Sequence, residues 1–383
     1  FRWQYIEAGQ LHFRMRMSWS WLYRYSIFVK GVLTLRLARL IVDASDACLK
    51  DGTHSTLLMY QKGSLGKTGR MLSKEAKEIS NSLRKELGKM PHKIEGNFIA
   101  FFGRQYNPDH KWNCALKPLW SGFYIKYNEL EMMVDPGINI LERAEKIGVN
   151  LARTNTLFIS HSHIDHKNDS NVVAEMVSYR ENPELNVLFS QHSLDDNAMS
   201  HYHSSSKENK IILLDENQEI ELYSGVKLKP VEVLHSIKGA YGFALDLNGV
   251  KIGYTGDTGF NTTYKTADGR ELSVSEKVLD KKDIEEPGAF NEDLKTFFSE
   301  VDLLVFNLHD VEFRKHTKHN LYHSTVSDAV KVLRDSKVKH CFFEHFNPYG
   351  GGLGVEYPQK VNQYIQESTG KESTLTPLNG SVY

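Results

Sequence analysis

Ile159-Ser160-His161-Ser162-His163-Ile164-Asp165-His166-Lys167-Asn168-Asp169 is the stretch that decides how this chain folds. Three imidazoles and a carboxylate stand within His161-x-His163-x-Asp165-His166, directly after the apolar, strand-like run Thr156–Ser160. A loop at a strand end can turn alternate side chains toward one point. Imidazole and carboxylate donors suit zinc, manganese or iron, and the lack of thiolates argues against a purely structural zinc site. The plainer alternatives are a surface histidine-rich loop or core histidines bonded to backbone. The spacing favours a metal site.

The His161-x-His163-x-Asp165-His166 pattern resembles the signature of the metallo-β-lactamase superfamily. Further motifs resemble that superfamily's in the same order. Asp135, in Val134-Asp135-Pro136-Gly137, resembles the aspartate that supports the metal loop. His235 ends the run Val231–Leu234. Asp257 lies in Tyr254-Thr255-Gly256-Asp257-Thr258-Gly259 and resembles the bridging aspartate. His345 follows the strand-like run that ends in Phe342-Phe343-Glu344. The resemblance covers roughly residues 95–350. It implies an α/β fold, the four-layer αββα sandwich, and a pair of metals, with zinc first and manganese or iron as alternatives. One metal would take His161, His163 and His235. The other would take Asp165, His166 and His345, with Asp257 bridging and Asp135 behind.

Within the superfamily, Asp302-Leu303-Leu304-Val305, His323-Ser324-Thr325, Ala329 and His345-Phe346 resemble the tRNase Z-like phosphodiesterase branch. That likeness implies hydrolysis of a phosphodiester by a hydroxide bridging the two metals. Asp165 and His323 are the catalytic candidates, His323 as proton donor to the leaving oxygen. RNA, DNA or a cyclic nucleotide would be the substrate. The chain departs from the branch at Phe306-Asn307-Leu308-His309, where members carry His-Glu-Ala-Thr, so Asn307 stands in place of the glutamate. No Gly/Pro-rich arm is evident in 170–230, Phe346-Asn347-Pro348-Tyr349 follows the last histidine, and Pro108–Asn113 is only faintly like the tRNA-processing loop. The alternative function is hydrolysis of a lactone, ester, amide or phospholipid. A non-enzymatic binding module would call for a lost ligand, and all seven candidates are present.

Outward from these motifs, strand-like runs occur at Asn97–Phe102, Gly122–Tyr127, Glu131–Val134, Val226–His235, Tyr241–Leu247, Val250–Thr255, Leu303–Phe306 and Val338–Phe343. Helical patterns occur at Asn171–Arg180 and Thr325–Arg334. The alternation supports an α/β domain over 96–383, with 261–300 as a charged, partly helical insertion. Residues 1–95 form a basic, aromatic, α-rich extension. Its first 40 residues hold Arg2, Arg14, Arg16, Arg24, Lys30, Arg36 and Arg39 against Glu7 alone. This suits helices packed on the main domain or on a second copy, giving a homodimer, or else a surface for nucleic acid or a membrane face. Ser73–Leu87 reads as a helix. Gly66-Lys67-Thr68 lacks the earlier glycine of a phosphate-binding loop, since Gln61 stands there.

The chain has 383 residues, 40% hydrophobic and 25% charged, with net charge −1, which excludes a disordered or wholly polybasic chain. Its three cysteines, Cys48, Cys114 and Cys341, suggest no disulfide framework and a cytoplasmic setting. No apolar run reaches the roughly 18 residues that a spanning helix requires. The chain opens on Phe1, and a preceding leader is left open. Seventeen histidines are present. His201 and His203 are assigned to a serine-rich loop, and His309, His316 and His319 to a loop or substrate-side cluster.

Overall fold

The structure is a computed structural model that describes residues 91–103, 122–216, 218–274, 283–313, 315–318, 321–345, 356–375 and 380–383. The extension to residue 90, including the 73–87 helix and the 66–68 segment, lies outside the described residues, as do Cys48, Cys114, the 108–113 loop, His319 and 346–352.

Two sheets form the body of the unit Met90–Tyr383. The first has seven strands in the order β18-β1-β2-β3-β4-β5-β6. They are β1 (Phe98–Phe101), β2 (Phe123–Tyr127), β3 (Leu130–Val134), β4 (Thr156–Phe158), β5 (Leu185–Phe189), β6 (Asn209–Leu213) and β18 (Ser381–Val382). The β1–β3 ladder is antiparallel, and β3 through β6 run parallel. The second sheet has eight strands, in the order β17-β16-β14-β10-β9-β8-β7, with β15 pairing on β14. Here β7 (Ile220–Tyr223), β8 (Val226–Glu232), β9 (Tyr241–Leu247) and β10 (Val250–Tyr254) form an antiparallel meander. Then β14 (Leu303–Asp310), β15 (Ser324–Thr325), β16 (His340–Glu344) and β17 (Glu372–Leu375) add parallel strands.

Side chains two apart share a face, and the sequence obeys that rule on both sheets. Phe123, Ile125, Met132, Val134 and Phe158 face Phe243, Leu245, Tyr254, Val305 and Phe342 between the sheets. The intervening Tyr124, Met133 and Leu157 turn outward onto Ile140 and Ala144 of α1 (Ile140–Ile147) and Val173, Ala174 and Val177 of α3 (Ser170–Ser178), with α2 (Ile164–Lys167) between them in sequence. Two short helices, α4 (Gln191–Asp195) and α5 (His201–Ser204), follow. On the far side Leu304, Phe306 and Phe343 meet α6 (Glu292–Ser299), α7 (Val326–Leu333) and α8 (Glu356–Thr369) through Phe298, Ala329, Leu333, Val361 and Ile365. Each buried Val, Leu, Ile, Met or Phe among these contributes about 1.5–3 kcal/mol. Helix, sheet, sheet, helix is the four-layer αββα arrangement expected from the motifs.

Four differences separate the structure from the sequence expectations. The strand read as Leu303–Phe306 continues to Asp310, because Asn307, His309 and Asp310 are buried rather than turned into a loop. The strand beginning at Val226 stops at Glu232, so His235 lies beyond it. The described part of 261–300 holds a small sheet of β11 (Thr263–Lys265), β12 (Glu271–Ser273) and β13 (Glu286–Pro287), as well as α6. His201 and His203 occupy α5 rather than a loop.

Candidate metal centre

The candidate residues collect where β3, β4, β10, β14 and β16 end at one rim of the sandwich. Asp135 follows β3 in a left-handed conformation, φ 49°. Its carboxylate is fully buried and accepts from the Ser160 amide (2.6 Å), Ser160 Oγ (2.6 Å), His166 Nδ1 (2.8 Å) and the Tyr254 hydroxyl (2.6 Å). One aspartate thereby fixes the start of the metal loop, a ring in α2 and the end of β10.

Those bonds determine which ring nitrogens face inward. Ser160 Oγ spends its proton on Asp135, so it accepts from His161 Nδ1–H at 2.9 Å and leaves the His161 Nε2 lone pair inward. His235 Nδ1 donates to the Tyr322 carbonyl at 3.0 Å, which leaves its Nε2 inward too. Both Nε2 atoms lie 3.0 Å from His163 Nδ1, which has at most one proton to share between them. Lone pairs gathered in this way repel one another unless a cation lies among them. The donor chemistry fits a divalent metal.

Beside them, Asp165, His166 and His345 form a second group. His345 follows β16 with φ 61°, and its ring stacks on that of His166 at 5.2 Å. Its Nε2 is 3.3 Å from Asp165 Oδ2 and 3.2 Å from His166 Nε2. Asp257 lies between the groups, with Oδ2 3.4 Å from His166 Nε2, 3.5 Å from His345 Nε2 and 3.6 Å from His323 Nε2. Asp257 also belongs with His161 and His166 in one triad of potential ligands, and with His235 and His323 in another. The loop bearing it is tied down beside His235. Leu234 N donates to Thr258 Oγ1, Gly259 N donates to Leu234 O, and a Cβ on Gly259 would come within 2.1 Å of the Leu321 carbonyl.

Electrostatics follow the burial. Desolvation holds His161 well below the usual imidazole range and lowers His235 to about 3 despite Asp257. His163 is lowered by burial and by His166. Burial also disfavours a charged His166, but Asp257, Asp165 and Asp135 outweigh it and raise the ring well above the usual value. Desolvation pushes Asp257 and Asp165 up, yet the neighbouring histidines overcome it and leave both below the normal carboxylate range. The arrangement holds negative charge in place for cations.

His323 lies at the edge of this centre, its side chain 15% exposed, its ring 5.1 Å from that of His235 and 4.6 Å from that of His309. The adjoining hydroxyls have separate tasks. Ser324 Oγ donates to the Asn307 carbonyl, and Thr325 caps α7 in a capping box with Asp328. The helix-capping and site-facing interpretations of His323-Ser324-Thr325 therefore hold together.

Sequence reasoning missed Ser160 and Tyr254 as parts of the centre, and named Asn307 only as a departure from the branch and His309 only as a loop or substrate-side residue. His309 is buried with its ring 5.5 Å from that of His345, and His316 Nε2 lies 3.6 Å from Glu285 Oε1; His319, the third member of the expected cluster, lies outside the described residues. A longer β14 with His309 in phase with Asn307 was the signal available in the sequence.

The β-lactamase superfamily domain matches residues 131–273. An uncharacterised protein of Methanocaldococcus jannaschii, MJ1374, is 33% identical over 264 residues, covering 67% of this chain and 84% of that protein. The chain belongs to the metallo-β-lactamase superfamily. As a superfamily member it is similar over a shorter stretch to a ribonuclease Z of Nitrosopumilus maritimus, 30% identical over 95 residues, or 22% of this chain and 32% of that protein. The fold resembles that of YhfI from Bacillus subtilis, with a TM-score of 0.53 at 14% identity over 75% of this chain and 99% of the other. Membership supports a metal-dependent hydrolase. Among the described residues, no helix is long and apolar enough to cross a membrane.

Proposed function

We propose that this superfamily member is a phosphodiesterase that works with two divalent cations, zinc or alternatively manganese or iron. His161, His163 and His235 would hold one cation, Asp165, His166 and His345 the other, and Asp257 both. The observation that carries the choice of bond is His323. Its imidazole sits 3.6 Å from Asp257 Oδ2, beside both donor groups yet partly open to solvent. A departing alkoxide needs a proton from such a group. The relative that bears the name ribonuclease Z supports the same bond type.

Cations bound there would supply positive charge opposite the phosphoryl oxygens and an attacking water active at neutral pH. The protein's own residues do the rest. Asp135 keeps His166 in one tautomer, Ser160 and the Tyr322 carbonyl do the same for His161 and His235, and burial excludes bulk water from the ligand cluster. His323 would pass a proton to the leaving oxygen. RNA, DNA and cyclic nucleotides are the substrates to compare.

The test is His323→Ala on two phosphodiesters. A nitrophenolate leaves without protonation, whereas a nucleoside alkoxide does not. The variant should retain its metal and most of its activity on bis-(p-nitrophenyl) phosphate, while losing about 10²–10⁴-fold on a dinucleotide. Equal losses on both would contradict the proton-donor role. Turnover of a lactone or carboxylic ester by the metal-loaded protein, with no phosphodiester cleaved, would move the assignment to those substrates.

A further inference from the structure

Asn307 occupies the point where three segments of the second sheet meet. It is 2% exposed, midway along the buried end of β14. Its backbone is held from both sides by hydroxyls. Its N–H donates to Thr255 Oγ1 at 2.9 Å, and its carbonyl accepts from Ser324 Oγ. Its side-chain amide donates twice, to Asp257 Oδ1 at 2.8 Å and to the Tyr254 hydroxyl at 3.2 Å. Tyr254 gives its own proton to Asp135 Oδ2 at 2.6 Å. The donors thus run in one direction, from Asn307 to Asp257 on one arm and through Tyr254 to Asp135 on the other.

This fixes the orientation of the amide. Turned over, it would set its oxygen against Asp257 Oδ1, two acceptors in contact in a dry site. An ionised carboxylate at this position could donate to neither partner, and a protonated one to only one. His166, His345 and His323 all approach its other oxygen, Oδ2, at 3.4–3.6 Å.

We infer that Asn307 is a positioning residue for Asp257, holding Oδ1 so that Oδ2 is presented to His166, His345 and His323. The inference rests on the metal-centre assignment proposed above. It gives the departure from the branch's glutamate a role directed at the aspartate between the two groups. Through Tyr254 it also couples that aspartate to Asp135, which orients His166. Without the amide, Asp257 can rotate, and the oxygen turned toward His166, His345 and His323 is no longer fixed.

The test is titration of metal-free protein with Co²⁺, followed by calorimetry and by visible absorption, for wild type, Asn307→Leu and Asn307→Ser. Wild type should take up two equivalents. Both variants should bind the first with near wild-type affinity and the second at least about tenfold more weakly, with an altered cobalt spectrum. Asn307→Ser keeps the test decisive should the larger leucine unfold the chain, and thermal melting reports which has happened. Two equivalents bound by a folded variant with wild-type affinity and spectrum would overturn the inference. A wild-type protein that binds no cobalt would overturn the metal assignment, and this inference with it.

Discussion

Asp135→Asn is the substitution whose consequences can be worked out most fully. The side chain keeps its size, so packing is conserved and only hydrogen bonding and charge change. Oδ2 accepts three of the four bonds, from Ser160 Oγ, His166 and Tyr254, while Oδ1 accepts the Ser160 amide. The asparagine loses least by keeping its oxygen at the threefold position, which turns its NH₂ toward the Ser160 N–H. One charge-assisted bond is then lost in a fully buried place, at about 1.5–3 kcal/mol, and three bonds weaken from charged to neutral, at roughly 0.5–1 kcal/mol each. The apo protein should lose about 3–6 kcal/mol, a fall in melting temperature on the order of 10 °C. His166 also loses the partner that sets its tautomer, so metal affinity should fall about 10–100-fold. Thermal melting in chelator and competition with a chromophoric chelator measure the two effects separately. A variant that melts within about 2 °C of wild type and binds metal equally well would refute Asp135 as the organiser of the loop.

Two further outcomes are expected. The metal-free protein should lose stability as pH falls from 6 to 3. His161 and His235 stay unprotonated in the fold while their unfolded counterparts take up protons below the ordinary imidazole value, and the lowered Asp165 and Asp257 lose their contribution as pH drops through the carboxylate range. His166, raised in the fold, stabilises below the ordinary imidazole value and adds no slope at lower pH. Melting temperatures that hold steady or rise between pH 6 and pH 4 would contradict these assignments. Thr325→Ala should cost about 1 kcal/mol through loss of the α7 cap. It should leave turnover nearly intact, because His323 faces the site independently of that cap, and parallel melting and rate measurements check both halves.

The clustering of His161, His163, Asp165 and His166 was legible because three imidazoles and a carboxylate at a strand end have few structural uses. The strand periodicity was legible where both faces are apolar, as in Met132-Met133-Val134 or Leu304-Val305-Phe306. It failed at Asn307-Leu308-His309-Asp310, where the strand continues under buried polar side chains and the Asn307 amide donates to residues distant in sequence. Propensity favours turns for such residues, and tertiary hydrogen bonding overrides it. For the same reason the supports of the centre were invisible. Nothing local marks Tyr254 as the donor to Asp135, 119 residues earlier, or the Tyr322 carbonyl as the acceptor for His235. The strands β5, β6 and β7 also went unread; β6 is partly buried or exposed along its whole length, so no apolar face stands out in it.

The most direct measurement of the whole account is hydrolysis of bis-(p-nitrophenyl) phosphate by protein loaded with Zn²⁺ or Mn²⁺, beside Asp257→Ala, with bound metal quantified in the same samples. Turnover that scales with bound metal and vanishes in a folded Asp257→Ala variant is expected. Two metals bound without any turnover, or full activity in the variant, would contradict it.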